Sequence, residues 1–158
     1  NITVSTCGLT EKIMRFVDDM PQVNLAVSLH APSDEIRLKL MPVAKSCSMS
    51  ELLSVCRKYT EKTHRRITFE YALIEGVNDS MENAAQLAAR LRGMLCHVNL
   101  IPLNRVSEKD FRGSARKHAE KFAAVLSSKG IEVTVRRELG SDISAACGQL
   151  RLTAESEG

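Results

Sequence analysis

The chain has 158 residues, of which 44% are hydrophobic and 26% are charged. These proportions are ordinary for a globular protein, and the length is sufficient for one domain with a hydrophobic core. No apolar run reaches the roughly 18 to 20 residues that a membrane-spanning helix needs, so we predict no membrane partner. The net charge of +3 permits a nucleic-acid partner but does not by itself indicate one.

Five segments have the composition of β-strands, and helical patterns lie between them. In chain order the predicted strands are Ile2–Ser5, Val23–His30, Arg66–Leu73, His97–Pro102 and Glu132–Arg137. The predicted helices are Thr10–Asp19, Ser50–Thr60, Ser80–Arg92 and Ser114–Lys129. This alternation predicts an α/β fold with right-handed crossovers and a parallel sheet, open or closed into a barrel. Several strands are nearly continuous apolar runs, which favours burial on both faces.

Local signals mark where the helices begin and end. Ser48 or Ser50 is a candidate N-cap for the second helix, and Asn78-Asp79-Ser80 is a start signal for the third. Gly93 and Gly130 follow the third and fourth helices as stop signals. The polar stretch Asn104–Gly113 is predicted to be a long loop, exposed or functional.

Small polar residues dominate the carboxyl ends of the predicted strands. They are Ser5-Thr6, Ser28-Leu29-His30, Glu75-Gly76, Asn104 and Glu138–Ser141. Ligands of parallel α/β folds bind beyond the carboxyl ends of the strands, so these residues are the candidate site. No glycine-rich phosphate loop follows any of the strands.

Five cysteines are spread through the chain at wide, irregular spacings. They are Cys7, Cys47, Cys56, Cys96 and Cys147. They form no CxxC pair and no His/Cys cluster, so the ligand spacing of a self-contained zinc or iron–sulfur site is missing. Free thiols are typical of a reducing compartment, which predicts a cytoplasmic location.

The segment 140–150 (GSDISAACGQL) surrounds Cys147 with small residues, which leave its thiol sterically open. The residues alone leave both a structural thiol and a nucleophile open. The segment closely resembles the ending of the RlmN/Cfr family, radical S-adenosylmethionine methyltransferases of large-subunit ribosomal RNA. Seven earlier segments also match the family, in the same order along the chain. They are 4–6 with Gly8, 21–32 (PQVNLAVSLHAP), 40–42, 70–71, 76–79 (GVND), 97–104 (HVNLIPLN) and 135–137. Together they cover essentially the whole chain.

The resemblance implies the C-terminal part of a radical S-adenosylmethionine partial (β/α)6 TIM-like barrel. It also implies two cofactors, S-adenosylmethionine and a 4Fe-4S cluster. The family carries its CxxxCxxC cluster motif and a Gly-Glu cofactor motif upstream of the matching region, and neither motif occurs in these 158 residues. We therefore expect residues 1–158 to be a single fragment, inactive alone, whose cluster ligands and N-terminal domain lie elsewhere.

The family chemistry gives Cys147 a catalytic role by analogy. In the family, one S-adenosylmethionine methylates a cysteine that matches Cys147, and a second is cleaved to an adenosyl radical that activates the new methyl group. The activated carbon then adds to adenine, and an upstream cysteine releases the product. The remaining four cysteines are expected to be non-catalytic.

The positions that match S-adenosylmethionine contacts in the family are Ser5, Ser28, Leu29, His30 and Asn104. Their hydroxyl, imidazole and amide groups suit the ribose, carboxylate or adenine edge of that cofactor. Without the resemblance, Ser5 reads as a strand-end residue, His30 as a satisfied core histidine and Asn104 as a turn residue. No acid–base role is assigned to His30.

The implied substrate is 23S rRNA, methylated at adenine carbon-2, with tRNA as a further candidate and no protein partner. Two alternatives stay open: methylation of adenine carbon-8, which confers antibiotic resistance, and a non-catalytic RNA-binding module. Basic residues cluster at 62–66, 105–117 and 136–137, where phosphate contact competes with a simple solvated surface. Four Phe, two Tyr and no Trp argue against recognition by base stacking.

Overall fold

The computed structural model describes residues 3–6, 24–41, 47–102 and 109–136, and their side chains in 24–41, 47–102 and 116–136. The strands are β1 (Thr3–Thr6), β2 (Asn24–Ser28), β3 (Ile67–Leu73), β4 (Cys96–Pro102) and β5 (Glu132–Val135). The helices are α1 (Asp34–Leu40), α2 (Met49–Thr63), α3 (Met81–Leu91) and α4 (Lys109–Ser128). All five predicted strands are present, and each of their ends lies within two residues of the predicted position. Strand β2 ends at Ser28, two residues before its predicted end.

The five strands form one parallel sheet in the order β1-β2-β3-β4-β5. Each strand therefore pairs with the next one in the chain. Successive right-handed crossovers in one direction give this order, as they do in (β/α) barrels, whereas a doubly wound sheet reverses its order in the middle. The predicted α/β fold, with parallel strands alternating with helices, is confirmed.

Two helix predictions need correction. Helix α1 was not predicted, because seven residues make only two turns and give too short an apolar pattern. Its N-cap is Ser33, whose hydroxyl accepts a hydrogen bond from the Ile36 amide at 3.4 Å. Helix α4 begins at Lys109, so the residues from there to Gly113 are helical and not a loop. A helix of 20 residues tolerates one internal glycine at a cost of about 1 kcal/mol. The predicted helix Thr10–Asp19 lies outside the described residues.

The predicted caps are in place. Ser48, not Ser50, caps α2 in a capping box with Glu51, and Ser80 caps α3 in a box with Asn83. Gly93 and Gly130 have φ values of 81° and 87°. These left-handed conformations end α3 and α4 at little steric cost because glycine has no Cβ.

One face of the sheet, here called the apolar face, packs against α2, α3 and α4. Its strand residues are Leu25, Val27, Leu29, Ile67, Phe69, Tyr71, Val98 and Leu100. They meet the buried helix residues Leu52, Cys56, Tyr59, Leu87, Leu91, Phe122 and Leu126. Fully burying each large aliphatic or aromatic side chain contributes roughly 1.5–3 kcal/mol, so this layer is the main source of stability. Across the described residues, no helix has the length and apolar character to cross a membrane.

Candidate cofactor-binding site

The opposite face of the sheet, here called the polar face, carries a row of hydrogen-bonding side chains. Ser28, Glu70, Asn99 and Thr134 are in register on four adjacent strands. The Ser28 hydroxyl donates to Glu70 Oε1 at 3.5 Å, and His97 Nε2 lies 2.7 Å from Thr134 Oγ1. Ser28 is buried, whereas Glu70 and Asn99 keep partial exposure. A hydroxyl, a carboxylate and an amide side by side can bind a polar ligand through both donors and acceptors.

The residues of the polar face were only partly predicted from the sequence. Burial alternates over the first four positions of β3 and β4, so β2 is the one of these three strands that matches the expected continuous burial. Neither Glu70 nor Asn99 was among the residues predicted from the strand ends. The period-2 alternation of Ile67–Tyr71 (ITFEY) and of 96–100 (CHVNL) carried the signal.

The carboxyl end of β2 presents the predicted tripeptide Ser28, Leu29 and His30, whose residues are each no more than 1% exposed. The backbone N–H groups of Leu29 and His30 both donate to the carbonyl of Glu70, at 2.9 and 3.3 Å. His30 then adopts a left-handed conformation with φ of 59°. Such a φ is uncommon for a residue other than glycine, and strained conformations concentrate at functional sites.

Among the described residues, the imidazole of His30 makes one hydrogen bond and leaves its other nitrogen without a partner. The backbone N–H of Ala72 donates to Nδ1 at 2.9 Å, so Nδ1 is an acceptor and the ring proton resides on Nε2. Nε2 is buried and has no hydrogen-bond partner within the part of the chain that the structure describes. An unsatisfied buried donor costs roughly 1–3 kcal/mol, and a ligand acceptor removes that cost. S-adenosylmethionine has such acceptors in its carboxylate, ribose and adenine, so the residues present fit this cofactor.

Ser5, another predicted contact of S-adenosylmethionine, lies on the neighbouring strand β1. Ser5 lies in β1 in register with Ala26, two residues before Ser28. Ser5 and the tripeptide therefore come from adjacent strands that run toward the same edge of the sheet. Asn104 and Cys147 lie outside the described residues.

The described cysteines are buried thiols. Desolvation raises the pKa of Cys56 to about 12 and that of Cys96 to about 11. Both thiols are therefore protonated near neutral pH and are poor nucleophiles, which supports a structural role. Cys47 is also buried. Within the described part of the chain, no three His, Cys, Asp or Glu side chains are grouped to hold a metal ion.

Several basic residues of the predicted clusters are engaged within the chain. Arg65 donates to Asn24 Oδ1 at 3.1 Å, and Arg66 pairs with Glu132 at 2.7 Å. Arg116 donates to the carbonyl of Arg136 at 2.9 Å, just beyond β5. These contacts join strands and helices, so they favour a structural role over phosphate contact for these three arginines.

Comparison with known proteins then identifies the family, although no protein-family model matches the chain. Over 151 residues the chain is 56% identical to a protein of Thermoanaerobacter sp. strain X514 named probable dual-specificity RNA methyltransferase RlmN. That match covers 96% of this chain and 44% of the relative. Over all 158 residues it is 56% identical to the protein of the same name from Caldanaerobacter subterraneus, covering 46% of it. The chain belongs to the RlmN family. It spans less than half the length of these RlmN relatives.

Solved structures agree with membership of the RlmN family. The crystal structure of a radical SAM methyltransferase from Sphaerobacter thermophilus matches with a TM-score of 0.79 and 48% identity, over 95% of this chain and 44% of that one. A domain of pyruvate-formate lyase-activating enzyme from Bacteroides vulgatus matches with a TM-score of 0.60 at 15% identity, over 85% of this chain and 80% of that one, which shows a shared fold only. The predicted family and the predicted radical S-adenosylmethionine barrel fold are confirmed.

Proposed function

We propose that the chain is the C-terminal half of an enzyme that methylates carbon-2 of adenine in 23S rRNA, and also in tRNA. The observation that carries the proposal is the match over nearly the whole chain to relatives named RlmN, at 53% to 57% identity. Their names describe dual-specificity RNA methyltransferases, which favours an RNA methyltransferase over a non-catalytic module.

S-adenosylmethionine would bind at the carboxyl ends of β1 and β2. The residues that would hold it are Ser5, Ser28, Leu29, His30 and Asn104. The support is chemical. Among the described residues, the buried Nε2–H of His30 has no hydrogen-bond partner, and Ser28 and Glu70 present a hydroxyl and a partly exposed carboxylate on the polar face. When bound with a 4Fe-4S cluster, this cofactor supplies both the methyl group and a radical. We place the cluster ligands in the upstream part of the full-length protein.

Cys147 would carry the methyl group to the RNA. Its thiolate sulfur would form the bond to the methyl carbon while the bond from that carbon to the sulfonium sulfur of bound S-adenosylmethionine breaks, with S-adenosylhomocysteine as the leaving group. Two alanines precede Cys147 and a glycine follows it, so the sequence leaves access to the sulfur. Buried Cys56 and Cys96, with raised pKa values, are poorly suited to this step.

The test uses the full-length protein with its cluster reconstituted. Mass spectrometry of the peptide that contains Cys147 should show one added methyl group after incubation with S-adenosylmethionine. Cys147→Ala should abolish RNA methylation and leave the cluster absorbance unchanged, whereas the matched control Cys56→Ala should retain methylation. RNA methylation that survives Cys147→Ala would contradict the methyl-carrier role.

The position of the methyl group on adenine needs a separate measurement. Methylated 23S rRNA and tRNA are digested to nucleosides and compared by liquid chromatography with standards of 2-methyladenosine and 8-methyladenosine. We expect 2-methyladenosine from both RNAs. The 8-methyl product would move the protein to the resistance branch, and RNA binding without any product would support the non-catalytic module.

A further inference from the structure

The β3–α3 connection holds a buried asparagine against the candidate site. Ile74 accepts backbone hydrogen bonds from Val77 and Asn78, at 3.0 and 3.3 Å, which forms a tight turn. Gly76 in this turn has φ of 77°, and its N–H donates to Asp79 Oδ1 at 3.1 Å. The turn directs the side chain of Asn78 back to the end of β2, where it is fully buried.

Every hydrogen-bonding group of the Asn78 side chain is occupied. Its Nδ2 donates to the carbonyl of His30 at 2.8 Å and to the carbonyl of Ala72 at 2.7 Å. Its Oδ1 accepts from the backbone N–H of Ile74 at 2.7 Å. Two carbonyl partners and one N–H partner fix which end of the amide is nitrogen, since no other orientation satisfies all three.

These contacts replace the backbone ladder where β2 stops. Beyond Ser28 the chain turns at His30, so β2 no longer offers a carbonyl to β3 in the regular way. The N–H of Ala72 goes to His30 Nδ1, and the carbonyl of Ala72 goes to Asn78. Asn78 and His30 therefore close one network in which the carbonyl of His30 is held in place and its ring faces the end of β3.

We propose that Asn78 is a positioning residue, which holds His30 in its left-handed conformation so that Nδ1 accepts from Ala72 and Nε2–H is presented to the ligand. The inference rests on the proposed cofactor role of His30. Asn78 makes no direct ligand contact in this proposal. It acts on binding only through the carbonyl of His30 and the end of β3.

Two contacts anchor the chain at Asn78 and at the next residue, Asp79. The hydroxyl of Tyr71 donates to the carbonyl of Asn78 at 2.7 Å in the buried core. His118 of α4 contacts both the carbonyl and the carboxylate of Asp79, the latter at 3.3 Å. The site end of β2 is thus connected through Asn78 to β3 and α4.

The test is a double-mutant cycle in the full-length protein, with affinity for S-adenosylmethionine as the readout. Asn78→Asp keeps the shape but replaces two donors by an acceptor that faces two carbonyls, so we expect affinity to fall roughly tenfold or more. His30→Asn keeps an acceptor near the Nδ1 position and tolerates a positive φ, but it removes Nε2–H. In the His30→Asn background, Asn78→Asp should cause little further loss, because its effect passes through His30.

A matched control separates positioning from a general effect of the Asn-to-Asp change. Asn83→Asp is the same change five residues away, at a site where the new carboxylate still accepts from the Ser80 N–H of the capping box. It should leave affinity unchanged. Additive losses in the cycle, or no loss from Asn78→Asp, would overturn the positioning role. Unchanged affinity of His30→Asn alone would instead refute the cofactor role of His30, which is a failure of the proposed function.

Tyr71→Phe and a spectroscopic readout keep the inference testable if Asn78→Asp fails to fold. Tyr71→Phe removes only the hydroxyl that holds Asn78, and Tyr59→Phe is its control in the same core. ¹⁵N chemical shifts of His30 should report the Nε2–H tautomer in the wild type and in Tyr59→Phe. Tyr71→Phe should mix the tautomers and weaken binding several-fold. A wild-type His30 in the Nδ1–H tautomer, or Tyr71→Phe with unchanged shifts and affinity, would overturn the proposal.

Discussion

The apolar and polar faces of the sheet are built from alternate residues of the same strands, but they have different tasks. On β3, Phe69 is buried in the core beneath the helices, and Glu70, the next residue, lies on the polar face beside Ser28. On β4 the same division separates Val98 from Asn99. Buried apolar side chains are therefore concentrated on one face and hydrogen-bonding side chains on the other, so mutations on the two faces should have separable effects on stability and on ligand binding.

The largest effect should come from the apolar face. Phe69→Ala removes a fully buried ring from the core and should destabilise the protein by about 3–5 kcal/mol. Guanidinium denaturation of the full-length protein, followed by circular dichroism, measures the change. A loss below about 1 kcal/mol would show that the core does not depend on this face.

High pH should lower the free energy of unfolding through the buried Cys56 thiol, which belongs to the core at the apolar face. The Cys56 thiol titrates near 9 when unfolded and near 12 when folded, so between these values the unfolded chain has released a proton that the folded chain retains. Stability should therefore be complete below pH 9 and fall as pH rises above it, by up to about 1 kcal/mol per pH unit from this thiol. Thermal denaturation from pH 8 to 11 should give a shallower decline for Cys56→Ala than for wild type. Parallel declines would contradict the assignment.

A substitution on the polar face should lower ligand affinity or turnover and leave the free energy of unfolding nearly unchanged. Glu70→Gln keeps the shape and removes one charge from a partly exposed position, so the free energy of unfolding should change by less than about 1 kcal/mol. Affinity for S-adenosylmethionine or turnover of RNA should fall several-fold, since the carboxylate is the charged member of the row. A variant with normal binding and turnover would remove Glu70 from the site.

The smallest effect should come from a surface ion pair at the edge of the sheet. Arg66 and Glu132 lie 2.7 Å apart, but their side chains are 49% and 64% exposed. Exposed pairs contribute about 0–1 kcal/mol, and salt screens them. Arg66→Ala should therefore change stability by less than about 1 kcal/mol and leave RNA affinity unchanged, which a filter-binding assay checks. A large loss of RNA affinity would restore Arg66 as a phosphate contact.

Local signals explain which parts of the fold could be predicted from the sequence. The strands were predictable because apolar runs are bounded by turn residues, and α3 was predictable because Ser80 and Gly93 mark its ends. Helix α1 is too short for a periodic pattern, and Gly113 concealed the start of α4.

The site was only partly predictable for a different reason. The tripeptide at 28–30 was selected because it follows a strand, but the contacts that shape it come from far along the chain. His30 bonds to Ala72 across 42 residues, and Asn78 bonds to His30 across 48. Local patterns contain no information on such contacts, so neither the free Nε2–H nor the role of Asn78 was accessible before the fold was known.

We propose that the buried Nε2–H of His30 donates a hydrogen bond to S-adenosylmethionine. The His30→Asn variant tests whether this donor contributes to binding. The asparagine side chain retains an acceptor for the Ala72 N–H, so the free energy of unfolding should change by less than about 1 kcal/mol. Isothermal titration calorimetry of the full-length protein should show affinity for S-adenosylmethionine roughly tenfold weaker than that of wild type. Equal affinity in a stably folded variant would contradict the claim.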